Sequence, residues 1–152
     1  MILRSDGSFG FPGGFVEHGE TWEAGVNREL REEIGLFEDH CILNSDDYCY
    51  SILDGNTFYC LHFYKKELSS ETIRNIEKSV PDCQHYGIET NGILRVPLRH
   101  YKKTKGFPTF LQNKFVTVAR FQLVNGLKLS KIVSENFIED SLKAAGLTYE
   151  TL

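Results

Sequence analysis

The chain has 152 residues, 41% hydrophobic and 25% charged, with a formal net charge of −4. That size and composition suit one globular domain with a single core, expected over 1–152 because no repeat, low-complexity tract or linker divides it. The acidic balance excludes generic nucleic-acid binding by the whole surface, and no apolar run approaches the roughly 20 residues of a membrane span.

Residues 1–4 read as a short strand, and the opening Met1-Ile2-Leu3-Arg4 lacks the basic start and apolar stretch of a signal peptide. An intracellular location is therefore expected. An Asp6-Gly7 turn and a glycine-rich stretch over 9–14 follow. Trp22, Val26, Leu30 and Ile34 recur every four residues and predict a helix over 21–34, with Thr21 as N-cap, Glu23 in the first turn and Gly35 as the stop. Gly25 inside it implies close packing against another backbone, since glycine there costs about 1 kcal/mol relative to alanine.

Two β-rich segments, 47–53 and 57–68, flank Asp54-Gly55-Asn56 and predict a hairpin. A two-residue Asp-Gly turn would set Cys49 opposite Cys60. With Cys41 and Cys83 these are the four cysteines, none in a CxxC pair, and free thiols are expected in a reducing compartment. A helix is predicted over 69–79 with Ile73 and Ile76 on one side, and a brief strand over 93–97. Arg95, Arg99, His100, Lys102, Lys103 and Lys105, with Tyr101 and Phe107, form a basic, aromatic-interleaved run that reads first as a solvated loop and second as an RNA-backbone contact. Helices over 112–124 and 134–145, separated by Asn125-Gly126, complete an α/β or α+β pattern.

The chemistry concentrates in GFVEHGETWEAGVNRELREEIGL, which begins at Gly14. On a helix Glu29, Glu32 and Glu33 stand at i, i+3 and i+4, so their carboxylates share one face. Like charges at that spacing repel by roughly 0.2–0.5 kcal/mol per pair, and a hard divalent cation converts the repulsion into ligation. The plain alternative is a solvated acidic face partnered by Arg28 and Arg31. Just upstream, Phe11-Pro12-Gly13-Gly14 gives a backbone that can approach a phosphate or metal closely, or simply turn.

Together these residues resemble the Nudix box, Gly-x5-Glu-x7-Arg-Glu-U-x-Glu-Glu-x-Gly-U with U aliphatic, and every defined position matches. FGFPGGFVEHG, NRELREE, LHFYKKEL, YGIETNGILRVPL and FPTFLQNKFVTVARFQL resemble, in order, the branch of Nudix hydrolases that decaps small nucleolar RNA and hydrolyses inosine and xanthosine diphosphates. The resemblance implies an α/β/α sandwich with a mixed β-sheet, here lacking its N-terminal strand. It implies a nuclear enzyme (nucleolus and nucleoplasm, and also cytoplasm), a homodimer, Mg2+ or Mn2+ as cofactor, and nucleoside diphosphates and capped RNA as substrates.

Residue by residue it implies metal binding by Glu29, Glu32, Glu33 and the Gly13 backbone, with Glu89 as a further ligand or base. The general base stays open among Glu33, Glu32 and Glu89. Glu20 and Arg28 would brace loop against helix, with Gly14 and Gly35 as structural positions. Arg4, Phe11 and Gln122 would line a purine pocket by stacking and amide hydrogen bonds. Ile52 stands where the family can place a pocket histidine. Two other readings remain: an ADP-ribose or dinucleotide pyrophosphatase, and an RNA- or protein-binding module without turnover.

Overall fold

A computed structural model describes residues 1–37, 41–55, 57–102 and 105–152. They form two compact units, Met1–Gly7 with Phe11–Leu94 and Ser8–Gly10 with Arg95–Leu152. Helices with small antiparallel sheets make the chain α+β, a Nudix-like fold. No helix among the described residues is long and apolar enough to cross a membrane.

In the first unit, β1 (Ile2–Arg4) pairs antiparallel with β5 (Thr90–Ile93), with Ile2 opposite Ile93. The strand predicted over 93–97 ends at Ile93; Leu94 adds one more bond, to the Met1 carbonyl at 2.8 Å. Proline at 97 has no N–H to extend such a ladder.

Helix α1 (Trp22–Ile34) starts where predicted, with Thr21 Oγ1 accepting the Ala24 N–H at 3.2 Å. It stops at Gly35, whose φ of 66° is left-handed. Leu30 and Ile34 are buried with Ile2, Leu43, Ile76 and Val80, and Val26 packs against that cluster. Each such side chain contributes about 1.5–3 kcal/mol on burial. Trp22 departs from the stripe and stays 49% exposed. Four residues advance about 400° on a helix, so a strict four-residue repeat drifts off its own face. Gly25 packs not against backbone but against a side chain: a Cβ there would meet Glu20 Oε2 at 3.0 Å.

The hairpin of β3 (Tyr48–Leu53) and β4 (Cys60–Tyr64) has a wider turn than a two-residue Asp-Gly loop. The Asp54 N–H donates to the Tyr59 carbonyl and the Phe58 N–H to the Asp54 carbonyl, at 2.9 and 2.8 Å. The register therefore sets Leu53, not Cys49, opposite Cys60, and none of the four cysteines is in a disulfide. Asn56 of the predicted turn lies outside the described residues. Helix α2 (Ser70–Ser79), capped by Ser69, turns Ile76 and Ile73 toward the core.

In the second unit, β2 (Phe9–Gly10) bridges in parallel to Phe115. The basic run makes a small hairpin, β6 (His100–Tyr101) with β7 (Lys105–Gly106). Arg99, His100, Tyr101, Lys102 and Lys105 are exposed, whereas Phe107 is fully buried and belongs to the core. Lys103 lies outside the described residues. Instead of one helix over 112–124 there are two, α3 (Phe107–Leu111) and α4 (Ala119–Ser130). The segment between them is diverted: the Val116 N–H donates to the Phe9 carbonyl at 3.0 Å, and Thr117 has φ 39°. Asn125-Gly126 does not break α4, because buried Leu123, Val124 and Leu127 on either side hold the helix together. Helix α5 (Glu135–Ala145) is capped by Ser134, the first residue of the predicted stretch, and packs against both α3 and α4.

Candidate active site

Loop 11–20 lies against α1 through a dense set of polar contacts. Arg28 Nε donates to Glu20 Oε1 at 3.2 Å, and Nη2 donates to the Phe15 carbonyl at 2.9 Å. Glu20 Oε2 in turn accepts the Glu17 N–H at 2.9 Å, so one ion pair closes the loop on itself and onto the helix. The remaining nitrogen, Nη1, contacts both Glu29 Oε1 (2.9 Å) and Glu32 Oε2 (3.1 Å). These carboxylates, Glu20 and Glu29 first, push the guanidinium pKa further up, and the Arg28 hydrogen bond holds the Glu20 carboxyl below its usual range.

Glu33 is the unusual member of the acidic face. It is fully buried, and Oε2 accepts the Gly13 N–H at 2.7 Å. Its other oxygen, Oε1, is sealed from solvent without a hydrogen-bond partner. Burial pushes the Glu33 pKa up to about 7, opposed by the Gly13 N–H and reinforced by the neighbouring Glu29 charge. Gly14 fits here because it has no side chain: a Cβ would collide with Glu29 Oε1.

Above this face opens a cavity of 600 Å³ whose walls include Arg4, Gly13, Gly14, Arg28, Glu29, Glu32 and Glu89. Seven expected site residues are thus brought together, and Glu33 joins them through Gly13. Ser5, Glu17 and His85 also line it. Sequence reasoning passed over His85, which carries no motif; its only signal is a position four residues before Glu89. Phe11 is half-buried, its ring edge-on to Phe63 at 5.0 Å. Gln122 is buried on α4 of the second unit. Ile52 is half-buried on β3, opposite Leu61.

Among the described residues no three His, Cys, Asp or Glu side chains are grouped tightly enough to hold a metal ion by themselves. The donor chemistry nevertheless fits a hard divalent cation. Glu17, Glu29, Glu32 and Glu89 border one space, Glu33 is joined to it through the Gly13 N–H and keeps an unpartnered buried oxygen, and magnesium needs only one or two carboxylates when water and phosphate complete its shell.

A family model described as Nudt16-like: U8 snoRNA-decapping enzyme-like matches residues 1–133. The U8 snoRNA-decapping enzyme of Xenopus laevis is 38% identical over 148 residues, 95% of this chain and 70% of that protein. That of Mus musculus is 37% identical over 140 residues, 91% of this chain and 72% of its own length. The Tudor-interacting repair regulator protein of Homo sapiens is 37% identical over 149 residues, covering 95% and 68%. With an intact Nudix box on α1 and similarity along nearly its whole length, the chain belongs to the Nudt16-like, U8 snoRNA-decapping enzyme-like family of Nudix hydrolases.

Proposed function

We infer that the chain hydrolyses phosphoanhydride bonds, both in inosine and xanthosine diphosphates and in the 5′ cap of RNA, with Mg2+ or Mn2+. The observation that carries this reading is the buried, half-satisfied Glu33 carboxylate beside Glu29 and Glu32 under a glycine loop. A buried carboxylate with an unpartnered oxygen is costly as an anion unless a proton or a cation completes it.

Glu29, Glu32, Glu33 and the Gly13 backbone would hold the ion, with Glu89 as a further ligand or base. A bound divalent ion supplies charge neutralisation at the phosphoryl oxygens and a more acidic water. The protein supplies the rest. Arg4, on the cavity wall, attracts the diphosphate and spreads its charge. Arg28 keeps Glu29 and Glu32 facing the cavity. The general base is a carboxylate of this set that the ion leaves free to take a proton from the attacking water, among Glu33, Glu32 and Glu89. Phe11 would contribute a ring to the purine pocket, and the role of Gln122 rests on the resemblance alone. A nuclear location and a homodimer belong to the same reading.

Purified protein is to be incubated with inosine diphosphate, xanthosine diphosphate, capped RNA and ADP-ribose, with and without Mg2+ or Mn2+. Ion-dependent release from the first three, lost in Glu33→Gln, is expected. Preferential cleavage of ADP-ribose would move the chain to a pyrophosphatase reading.

A second reading is a protein-binding module, favoured by the match to a protein named for its interaction with a Tudor domain. Under it, wild type and Glu33→Gln would be equally inert while capturing a Tudor domain in solution.

A further inference from the structure

The loop carrying Glu89 is organised around His85. The His85 N–H donates to the Glu32 carbonyl at 3.2 Å, which pins the loop to α1. The His85 carbonyl accepts the N–H groups of Ile88, Glu89 and Thr90 at 3.2, 3.0 and 3.2 Å, which folds the loop around it. The backbone thus places both residues beside the acidic helix, and both line the cavity with Glu29 and Glu32.

Imidazole Nδ1 is sealed from solvent and makes no hydrogen bond. Its neighbour Glu89 Oε2 lies 3.6 Å away, beyond hydrogen-bond reach. An orphaned buried nitrogen is rare in native structures and marks an absent partner, a water or an ion. Two donors held by one ion at about 2.0–2.2 Å each stand about 3–3.6 Å apart, so the separation suits adjacent ligands better than a direct contact.

We propose that His85 Nδ1 and the Glu89 carboxylate form a nitrogen–oxygen donor pair for a divalent first-row transition ion at the cavity wall, which rests on the reading that this cavity binds divalent ions. The Nudix box offers only oxygen donors, which suit Mg2+. Imidazole adds a softer donor that strengthens binding of transition ions far more than of Mg2+. His85 therefore acts on ion choice, from a loop pinned to α1 by its backbone.

The test uses the full chain without an affinity tag. Mn2+ is added and pulsed electron paramagnetic resonance is used to look for nitrogen-14 coupling to the bound ion. Wild type is expected to show imidazole coupling, and His85→Gln to lose it. By calorimetry, His85→Gln should weaken Co2+ binding about tenfold or more while Mg2+ binding stays within about twofold. Unchanged Mg2+ binding reports that the variant is folded, and the wild-type spectrum decides the matter even if it is not.

Bound Mn2+ without nitrogen coupling in wild type, coupling that survives in His85→Gln, equal loss of Mg2+ and Co2+, or no Mn2+ binding would each overturn the proposal. Hydrolysis supported by Mg2+ with a nitrogen-free Mn2+ spectrum would remove the donor pair and leave the hydrolase standing. Nitrogen coupling without turnover of any substrate would do the reverse.

Discussion

At the residue scale the site turns on two positions, Glu33 and Gly14. With its pKa raised from 4.5 to about 7, Glu33 binds a proton more tightly in the folded chain than in the unfolded one. Its contribution to stability is fully present below about pH 4.5 and is lost as pH rises through about 7. Glu33→Gln should accordingly stabilise the ion-free protein at pH 8 by on the order of 1–3 kcal/mol, measured by denaturant unfolding. The same change should lower turnover by about 100-fold or more. Protons and divalent ions compete for this carboxylate, so ion affinity should fall as pH drops below about 7, with near one proton released per ion in calorimetry at pH 6. A pH-independent affinity from 6 to 8 would contradict the raised pKa. At Gly14, alanine should leave folding within about 1 kcal/mol, because the group it strikes is the end of a flexible side chain. Glu29 would be pushed aside, so ion affinity and turnover should drop while the melting curve barely moves.

At the scale of elements, α1 is anchored at its middle by Asn27. Asn27 Nδ2 donates to the Leu43 carbonyl at 2.8 Å and Oδ1 accepts the Leu43 N–H at 2.8 Å, both buried. Asn27→Ala leaves two buried backbone groups unpaired and should cost about 2–4 kcal/mol in denaturant unfolding. A loss below about 0.5 kcal/mol would mean that the tether is slack.

Legibility in the sequence follows the range of the forces involved. Helix α1 could be read off because cap, stripe, acidic face and stop are all local, and the box fixes their spacing. The hairpin register could not, since a turn built by the Asp54 and Phe58 hydrogen bonds shifts every partner and sends Cys60 opposite Leu53. Nor could the break between α3 and α4, which is set by Val116 bonding to a residue more than a hundred positions earlier, Phe9. Likewise His85 reaches the site only through a long-range backbone bond to Glu32, which no local pattern in the sequence encodes.

At the scale of the whole chain, every box residue from Gly14 to Leu36, with Arg4 and Glu89, falls within the first unit. An ion bound there stabilises that unit by mass action, about 2.7 kcal/mol at a hundredfold excess over the dissociation constant. Differential scanning should therefore show Mn2+ raising the melting temperature of wild type more than that of Glu33→Gln. The most direct test of the carboxylate cavity as a divalent-ion site is anomalous scattering from crystals soaked in Mn2+. A manganese peak within reach of Glu33 and its neighbours Glu29 and Glu32 is expected, with Arg28 Nη1 displaced from at least one of them. A cavity free of manganese at saturating ion, with Arg28 still bridging Glu29 and Glu32, would contradict it.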